Sequence, residues 1–308
     1  MRIGIIDCGT NTFNLLIADT TEKGWTKVFG NKVSVKLGHG GFTDGNIRLE
    51  RMARALDAMK VHYNNLLNFN VEKTFVFATS AMREAGNGAM FIQHIKQELG
   101  LDVVIIDGDR EAQLIYDGVR QTIEASSGYD LIVDIGGGST EFIVASADGI
   151  HWKASFPIGV ARLYEYVEPE DPITKEQIQK LDLYLDDVLK PLETALKQYP
   201  IDRLIGSSGS FDTLIDLFHS VGRIPAVRGL SNEIPMAVFE EIHRYLLIST
   251  RETRLAMRGM LPLRVDYIVL ASIVIQHIVT RFHIVRMFQS EYALKEGVIA
   301  GILNHELT

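Results

Sequence analysis

One stretch of this chain is written twice. Ile5-Ile6-Asp7-Cys8-Gly9-Thr10-Asn11-Thr12, continuing as Phe13-Asn14-Leu15-Leu16-Ile17-Ala18, returns as Ile132-Val133-Asp134-Ile135-Gly136-Gly137-Gly138-Ser139, continuing as Thr140-Glu141-Phe142-Ile143-Val144-Ala145. The aspartates, the glycines after them and the closing alanines align at one offset, 127 positions (134 − 7). Each copy reads as an apolar strand, a turn of small polar residues and a second apolar strand, which is a hairpin. A repeat of this kind demands two copies of one supersecondary unit. The 308 residues are enough for two domains.

Both copies continue alike. After the first hairpin a strand is expected over 33–37 and an amphipathic helix over 47–67, with Leu49, Met52, Leu56, Met59 and Tyr63 on one face. After the second, a strand over 152–156 precedes helices over 160–166 and 175–197. Further strands are expected over 74–78, 103–106, 203–205 and 284–288. Hairpins combined with helical crossovers give an α/β fold of mixed sheets flanked by helices. Two such units in tandem would set the two turns opposite each other across a cleft. The loop over 220–235, with Gly222, Pro225, Gly229 and Pro235, is the longest candidate for mobility.

Composition narrows the functional class. The longest apolar stretch, 267–279, is too short to span a bilayer and reads as a core helix, so no membrane partner is expected. The N-terminus lacks the pattern of a signal peptide, and the single cysteine, Cys8, allows no internal disulfide; the cytoplasm is the expected compartment. Cys8 reads as a small buried side chain. A net charge of −8 disfavours duplex nucleic acid and leaves room only for a local basic groove. No His or Cys spacing suits zinc. The sequence leaves a homodimer open.

The turns themselves suggest chemistry. Small residues after a strand let backbone N–H groups form an anion nest. Gly9, Thr10, Asn11 and Thr12 supply one; Gly136, Gly137, Gly138, Ser139 and Thr140 supply the other. The pattern is neither a dinucleotide fingerprint nor a Walker loop, since position 141 is Glu141 and no Gly-Lys-Ser/Thr is present. Asp7 and Asp134 beside phosphate would repel it, and Mg²⁺ shared between carboxylate and phosphate removes the conflict. Glu111 and Glu141 are the acid–base candidates. Glu111 falls in the first turn of a helix, with Asp109 as its expected cap and Ala112, Ile115, Val119 and Ile123 as its apolar face. Arg83, after a strand end, suits either a bidentate phosphate clamp or a surface salt bridge. Arg251, Arg254 and Arg258 share a predicted helix face, with Arg264 beyond; such a face is usually solvated, and a polyanion track is the sharper alternative.

At these residues the chain resembles the exopolyphosphatase and guanosine pentaphosphate phosphohydrolase family, over nearly its whole length. The resemblance rests on Ile6-Asp7-Cys8-Gly9-Thr10-Asn11-Thr12-Phe13, on Ala78-Thr79-Ser80-Ala81-Met82-Arg83 with Asn87, and on Asp109-Arg110-Glu111-Ala112-Gln113-Leu114-Ile115-Tyr116. It continues through Val133-Asp134-Ile135-Gly136-Gly137-Gly138-Ser139-Thr140-Glu141, Gly159-Val160-Ala161-Arg162-Leu163, Gly206-Ser207-Ser208-Gly209-Ser210 and Ser290-Glu291-Tyr292-Ala293-Leu294-Lys295-Glu296-Gly297-Val298. It implies an actin-like (ASKHA) fold of two ribonuclease-H-like domains and a dependence on Mg²⁺. The first lobe is then expected over 1–118 plus 291–308, with the C-terminal helix over 293–304 packing back on it, and the second over 119–290. By position Glu111 matches the family's presumed general base and Glu141 its second catalytic acid. Asp7, Asp134 and Glu141 fall on the metal side, and Gly206, Ser207, Ser208 and Gly209 join the phosphate-binding set.

Three departures from the family pattern stand out. Arg110-Glu111-Ala112-Gln113 replaces the usual Glu-Glu-Ala-Arg, Thr10-Asn11-Thr12-Phe13-Asn14 replaces Ser-Asn-Ser-Phe-His, and Ser210 stands where Thr is usual. The chain resembles the short members, without the C-terminal helical domains that extend the polyphosphate channel of the longer ones. The expected activity is Mg²⁺-dependent release of terminal phosphate from inorganic polyphosphate or guanosine pentaphosphate (pppGpp). Two alternatives stay open: an ATP-dependent kinase of the same superfold, with 204–210 as an adenosine loop, and a non-catalytic alarmone sensor.

Overall fold

The computed structural model describes residues 1–38, 45–220, 222 and 229–307. The expected mobile loop over 220–235 lies partly outside them, at 221 and 223–228. The chain divides into two compact units, Met1–Gly118 with Leu294–Thr308, and Val119–Ala293.

The first unit runs β1 (Arg2–Cys8), β2 (Thr12–Thr21), β3 (Gly24–Ser34), α1 (Leu49–Asn68), β4 (Lys73–Ala78), α2 (Ser80–Glu84), α3 (Gly88–Leu99), β5 (Val103–Ile105) and α4 (Gly108–Val119). Its sheet has the order β3-β2-β1-β4-β5, with β1 antiparallel to β2 and parallel to β4. The central strand β1 is apolar nearly throughout because both its faces are covered: Ile3, Ile5, Ile6 and Cys8 are all fully buried. Helix α1 buries Met52, Ala55, Leu56, Met59 and Leu66, whereas Leu49, expected on that face, is 77% exposed at the first turn. The strand expected over 33–37 is the tail of the longer β3. Residues 35–37 leave the ladder and bond to the carbonyls of Asn11 and Thr10 instead.

The second unit runs β6 (Tyr129–Ile135), β7 (Thr140–Ser146), β8 (Gly149–Phe156), α5 (Val160–Val167), α6 (Lys175–Val188), α7 (Lys190–Leu196), β9 (Ile201–Ser207), α8 (Ser208–Ser220), β10 (Ser231–Ile234), α9 (Met236–Ile248), α10 (Arg251–Ala256), α11 (Ile268–Arg281) and β11 (Met287–Ser290). Its sheet order, β10-β11-β9-β6-β7-β8, repeats that of the first unit and adds β10 at one edge. The polar Ser231-Asn232-Glu233 gives β10 no alternation to read, and only its pairing with β11 makes it a strand. The helix expected over 175–197 starts at a Thr174/Gln177 capping box and is broken at Leu189, where Pro191 cannot continue a helical ladder. The helix expected to carry three arginines on one face ends at Ala256, which leaves Arg258 off it. The predicted core helix is α11, with ten of its residues buried, Ile268 to Val279 among them.

The repeat is visible in the hydrogen-bond register. Asp7 pairs across the hairpin with Asn14, and Asp134 with Glu141, again 127 positions apart (134 − 7 and 141 − 14). Two mixed sheets, each opened by an antiparallel hairpin and continued by helical crossovers, make an actin-like fold of two ribonuclease-H-like units. Among the described residues no helix is long and apolar enough to cross a membrane.

The C-terminal helix α12 (Leu294–Leu303) returns to the first unit. It approaches α4 so closely that a Cβ on Gly297 would lie 1.7 Å from the Leu114 carbonyl oxygen and 3.1 Å from the Gly118 nitrogen. Neither neighbour is a side chain that can swing aside. Gly297→Ala should therefore cost about 1–3 kcal/mol and, at roughly 2 °C per kcal/mol for a chain of this size, lower Tm by about 2–6 °C. A melting curve within a degree of wild type would contradict the tight crossing.

Candidate active site

Each hairpin turn is closed by the same bond. The Gly9 N–H donates to the Thr12 carbonyl at 3.1 Å, and the Gly136 N–H to the Ser139 carbonyl at 3.0 Å. A Cβ would stand 3.1 Å from the Thr12 oxygen at Gly9 and 2.9 Å from the Ser139 oxygen at Gly136, so glycine lets the turn close.

The turn carbonyls are then gripped from behind. In the first unit Val35 and Lys36 donate to the Asn11 oxygen at 2.9 and 3.1 Å, and Leu37 donates to the Thr10 oxygen at 2.7 Å. In the second, Val160 and Ala161 at the start of α5 donate to the Gly136 and Gly137 oxygens at 3.0 and 2.8 Å, and Arg162 Nε donates to the Gly138 oxygen at 3.1 Å. In a trans peptide the carbonyl and the next N–H point in opposite directions. Holding the carbonyls back therefore turns the N–H groups of Asn11, Gly137 and Gly138 outward, and among the described residues none accepts from them. The Asn11 side chain adds a second signal: it is 7% exposed, and both its amide atoms are buried without a partner. Leaving such a group unsatisfied costs about 1–3 kcal/mol, so the turn is built to receive something polar.

The carboxylates sit beside the turns and differ between the units. Asn14 Nδ2 donates to Asp7 Oδ2 at 3.0 Å. In the second unit the partner directly across the strands is a second acid. Asp134 and Glu141 are 6% and 1% exposed, with the Ser155 hydroxyl on Glu141 Oε1 at 2.7 Å. Ser207 and Ser208 both donate to Asp134 Oδ2, at 3.0 and 2.6 Å. Ser208 adopts φ 64°, a left-handed conformation that costs a non-glycine residue about 1–2 kcal/mol. Two like charges directly opposite on neighbouring strands are unfavourable, and a hard divalent cation relieves that conflict. Among the described residues no three His, Cys, Asp or Glu side chains gather as a metal cage. Mg²⁺ needs none, because it binds through one or two carboxylates together with water and substrate phosphates. The facing carboxylates of Asp134 and Glu141 in the second unit are of the kind that ion takes.

Glu111 lies in the first turn of α4 and is 7% exposed. The helix is capped by Asp107, not by Asp109 as expected: Asp107 Oδ1 accepts from the Arg110 N–H at 2.7 Å, and Asp109 falls inside the first turn. The short α2 brings Arg83 to the same place, where its Nη1 donates to Glu111 Oε2 at 2.9 Å and to the Ile106 carbonyl at 3.0 Å. Arg83 is thus a partner of the candidate base, and its Nε and Nη2 make no hydrogen bond among the described residues. Cys8 is fully buried, and burial, then the neighbouring Asp7, push its thiol well above the ordinary range, so it is no nucleophile.

The segment at 206–209 has divided duties. A Cβ on Gly206 would strike the Phe211 ring at 2.1 Å, so this glycine makes room for the core. A Cβ on Gly209 would lie 1.7 Å from Arg264 Nη2 and 2.3 Å from Cζ, so the Arg264 guanidinium rests directly on Gly209. Burial lowers the Arg264 pKa, while nearby Asp212 and Asp134 act to raise it. Its guanidinium makes no hydrogen bond among the described residues. By sequence Arg264 stands beyond a helix face of arginines that reads as solvated, with a polyanion track as the alternative. The available signal was its place just before the wholly apolar start of α11, where a charge must turn toward polar ground.

The model of the Ppx/GppA phosphatase family matches residues 16–306. The chain belongs to the Ppx/GppA phosphatase family. Among solved structures of the family's kind, an exopolyphosphatase from Cytophaga hutchinsonii is 39% identical, covering 100% of this chain and 99% of that one with a TM-score of 0.95. A Ppx/GppA family member from Aquifex aeolicus is 24% identical over 99% of this chain and 98% of its own, with a TM-score of 0.82, and shares the fold. Exopolyphosphatase 2 of Mycobacterium tuberculosis is 29% identical over 98% of both chains.

The Gly159 in front of α5 is the tightest part of the second turn. A Cβ there would lie 2.4 Å from both the Gly137 carbon and the Gly138 nitrogen, backbone atoms that cannot yield without opening the turn. Gly159→Ala should weaken pyrophosphate binding by at least about tenfold while the far-ultraviolet circular dichroism stays that of wild type. Unchanged affinity in calorimetry would separate the turn from anion binding.

Proposed function

We propose that the protein is a phosphohydrolase that releases the terminal phosphate of a phosphoanhydride chain, inorganic polyphosphate or pppGpp. The observation that carries this reading is the second hairpin, where two outward N–H groups stand next to two buried, facing carboxylates. Relatives named as exopolyphosphatases support it. In this reading the N–H groups of Gly137 and Gly138, the Ser139 and Thr140 hydroxyls, and Thr10, Asn11 and Thr12 of the first turn bind phosphate oxygens. Arg83 Nε and Nη2 and the Arg264 guanidinium neutralise them. Asp7, Asp134 and Glu141 would hold Mg²⁺, which when bound offsets the charge gathering on the phosphoryl oxygens.

Glu111 is the group that positions the attacking water and accepts its proton, and Arg83 Nη1 fixes the direction of its carboxylate. The transition state of phosphoryl transfer is loose, so orientation and charge neutralisation carry most of the rate, and a strong base is not required. A kinase of the same superfold would need 206–209 open to adenosine. Here both serine hydroxyls are spent on Asp134 and Gly209 is covered by Arg264, so no observation favours that alternative. A single buried thiol suits a reducing compartment, and we place the protein in the cytoplasm.

One assay series tests the proposal: phosphate release from polyphosphate, pppGpp and ATP, with and without excess chelator, for wild type and Glu111→Gln. Release should stop in chelator and return with Mg²⁺. Glu111→Gln should lower kcat by roughly 10²–10⁴ while KM holds or falls, since a negative charge near phosphate is gone. Full turnover in chelator would remove the metal from the mechanism. Near-wild-type kcat in Glu111→Gln would remove the base.

A further inference from the structure

The position of Arg264 is unexplained by its own side chain, which makes no hydrogen bond among the described residues to aim it. Asp212 and Asp134 attract its charge, and the backbone that carries it sets the point from which it reaches them. That backbone is fastened on both sides. Upstream, Gly259 has φ 93° and sits so close to α8 that a Cβ would lie 2.5 Å from the Asp216 carbonyl oxygen. Downstream, the two residues after Arg264 are each held by an arginine of α10. Arg254 Nε donates to the Val265 carbonyl at 3.0 Å, and Arg251 Nε donates to Asp266 Oδ1 at 2.8 Å.

The two α10 arginines are in turn fixed by one carboxylate. Arg254 Nη2 donates to Asp171 Oδ1 at 3.0 Å, and the Arg251 N–H reaches Asp171 Oδ1 and Oδ2 at 2.9 and 2.7 Å. Arg254 Nη1 also donates to the Ser249 carbonyl at 2.5 Å, so all three donor positions of its guanidinium are in use, and the residue is only 7% exposed. A solvated phosphate-tracking arginine would show neither property. Burying a guanidinium costs several kcal/mol, offset only where the geometry is this complete. A planar fork with donors on three sides brings three separate pieces of chain into one register, which a lysine cannot do.

The geometry points to Asp171, Arg254 and Arg251 as a positioning relay for Arg264, setting where its guanidinium meets substrate phosphate without touching the substrate themselves. This rests on the proposed phosphate-binding role of Arg264. The relay explains why the α5–α6 connection, which carries Asp171, is tied to α10. It also predicts that damage to Arg254 is felt through Arg264 and nowhere else in catalysis.

The test is a double-mutant cycle on tripolyphosphate hydrolysis with Mg²⁺: wild type, Arg254→Gln, Arg264→Ala and the double variant, each with a melting curve. Arg254→Gln should raise KM about tenfold with kcat changed less than about threefold, and in the Arg264→Ala background it should add less than about twofold. Its effect on Tm should persist in both backgrounds, which separates packing from positioning. Asp171→Asn, which keeps one acceptor oxygen on a half-exposed side chain, should show a smaller KM rise with the same non-additivity. Independent, multiplying effects on KM would overturn the relay. A crystal structure of Arg254→Gln reads position directly: the relay requires the Arg264 guanidinium to move off Gly209, and an unmoved Arg264 would refute it. If Arg264→Ala keeps wild-type KM while that guanidinium does move, the relay stands and it is the phosphate role of Arg264 that fails.

Discussion

The site depends on which way a few peptide groups face. A hairpin turn left to itself directs its polar groups to water, and nothing in a glycine run decides between carbonyl and N–H. Here the decision is made from behind. Residues 35–37 in one unit, and Gly159 with the first turn of α5 in the other, take the turn carbonyls and leave the N–H groups facing out. The opening N–H groups of α5 are spent in doing so. In the proposed reading the α5 helix start is the fastening and the turn is the anion site, the reverse of the usual arrangement in which the helix N-terminus itself receives the anion.

The two copies of the hairpin have diverged at one position with a clear electrostatic consequence. Where the first has Asn14 donating to Asp7, the second has Glu141 facing Asp134. An amide opposite a carboxylate makes a hydrogen-bonded pair with a single negative charge. Two buried carboxylates opposite each other repel, which favours a cation or an extra proton beside them. The same backbone therefore carries a carboxylate–amide pair beside one turn and two facing carboxylates beside the other.

Much of this was legible in the sequence because the repeat carries the register with it. Once Asp7 and Asp134 are aligned, both hairpins follow from the repeated pattern, while the pairing of Glu141 with Asp134 and the sheet order are given by the observed register. Features set by tertiary contact were not legible. Leu49 fits the helical face by spacing, yet lies at the end of α1 beyond the cover of the sheet. Asp107 and Asp109 are both able to cap α4, and only the observed bond to Arg110 chooses between them. Arg254 looks like a surface charge because its acceptors, Asp171, Ser249 and Val265, are scattered along the chain. The role of Arg264 is hidden for the same reason, since its contact is a glycine more than fifty positions earlier (264 − 209).

The account stands or falls on the turns being anion sites. A crystal structure of the wild-type protein grown with orthophosphate and Mg²⁺ tests this most directly. The account predicts tetrahedral density at the second turn, within hydrogen-bond reach of the Gly137 and Gly138 nitrogens, and density satisfying the buried amide of Asn11 at the first. Well-ordered turns with no density at either, while phosphate occupies some other surface, would contradict it.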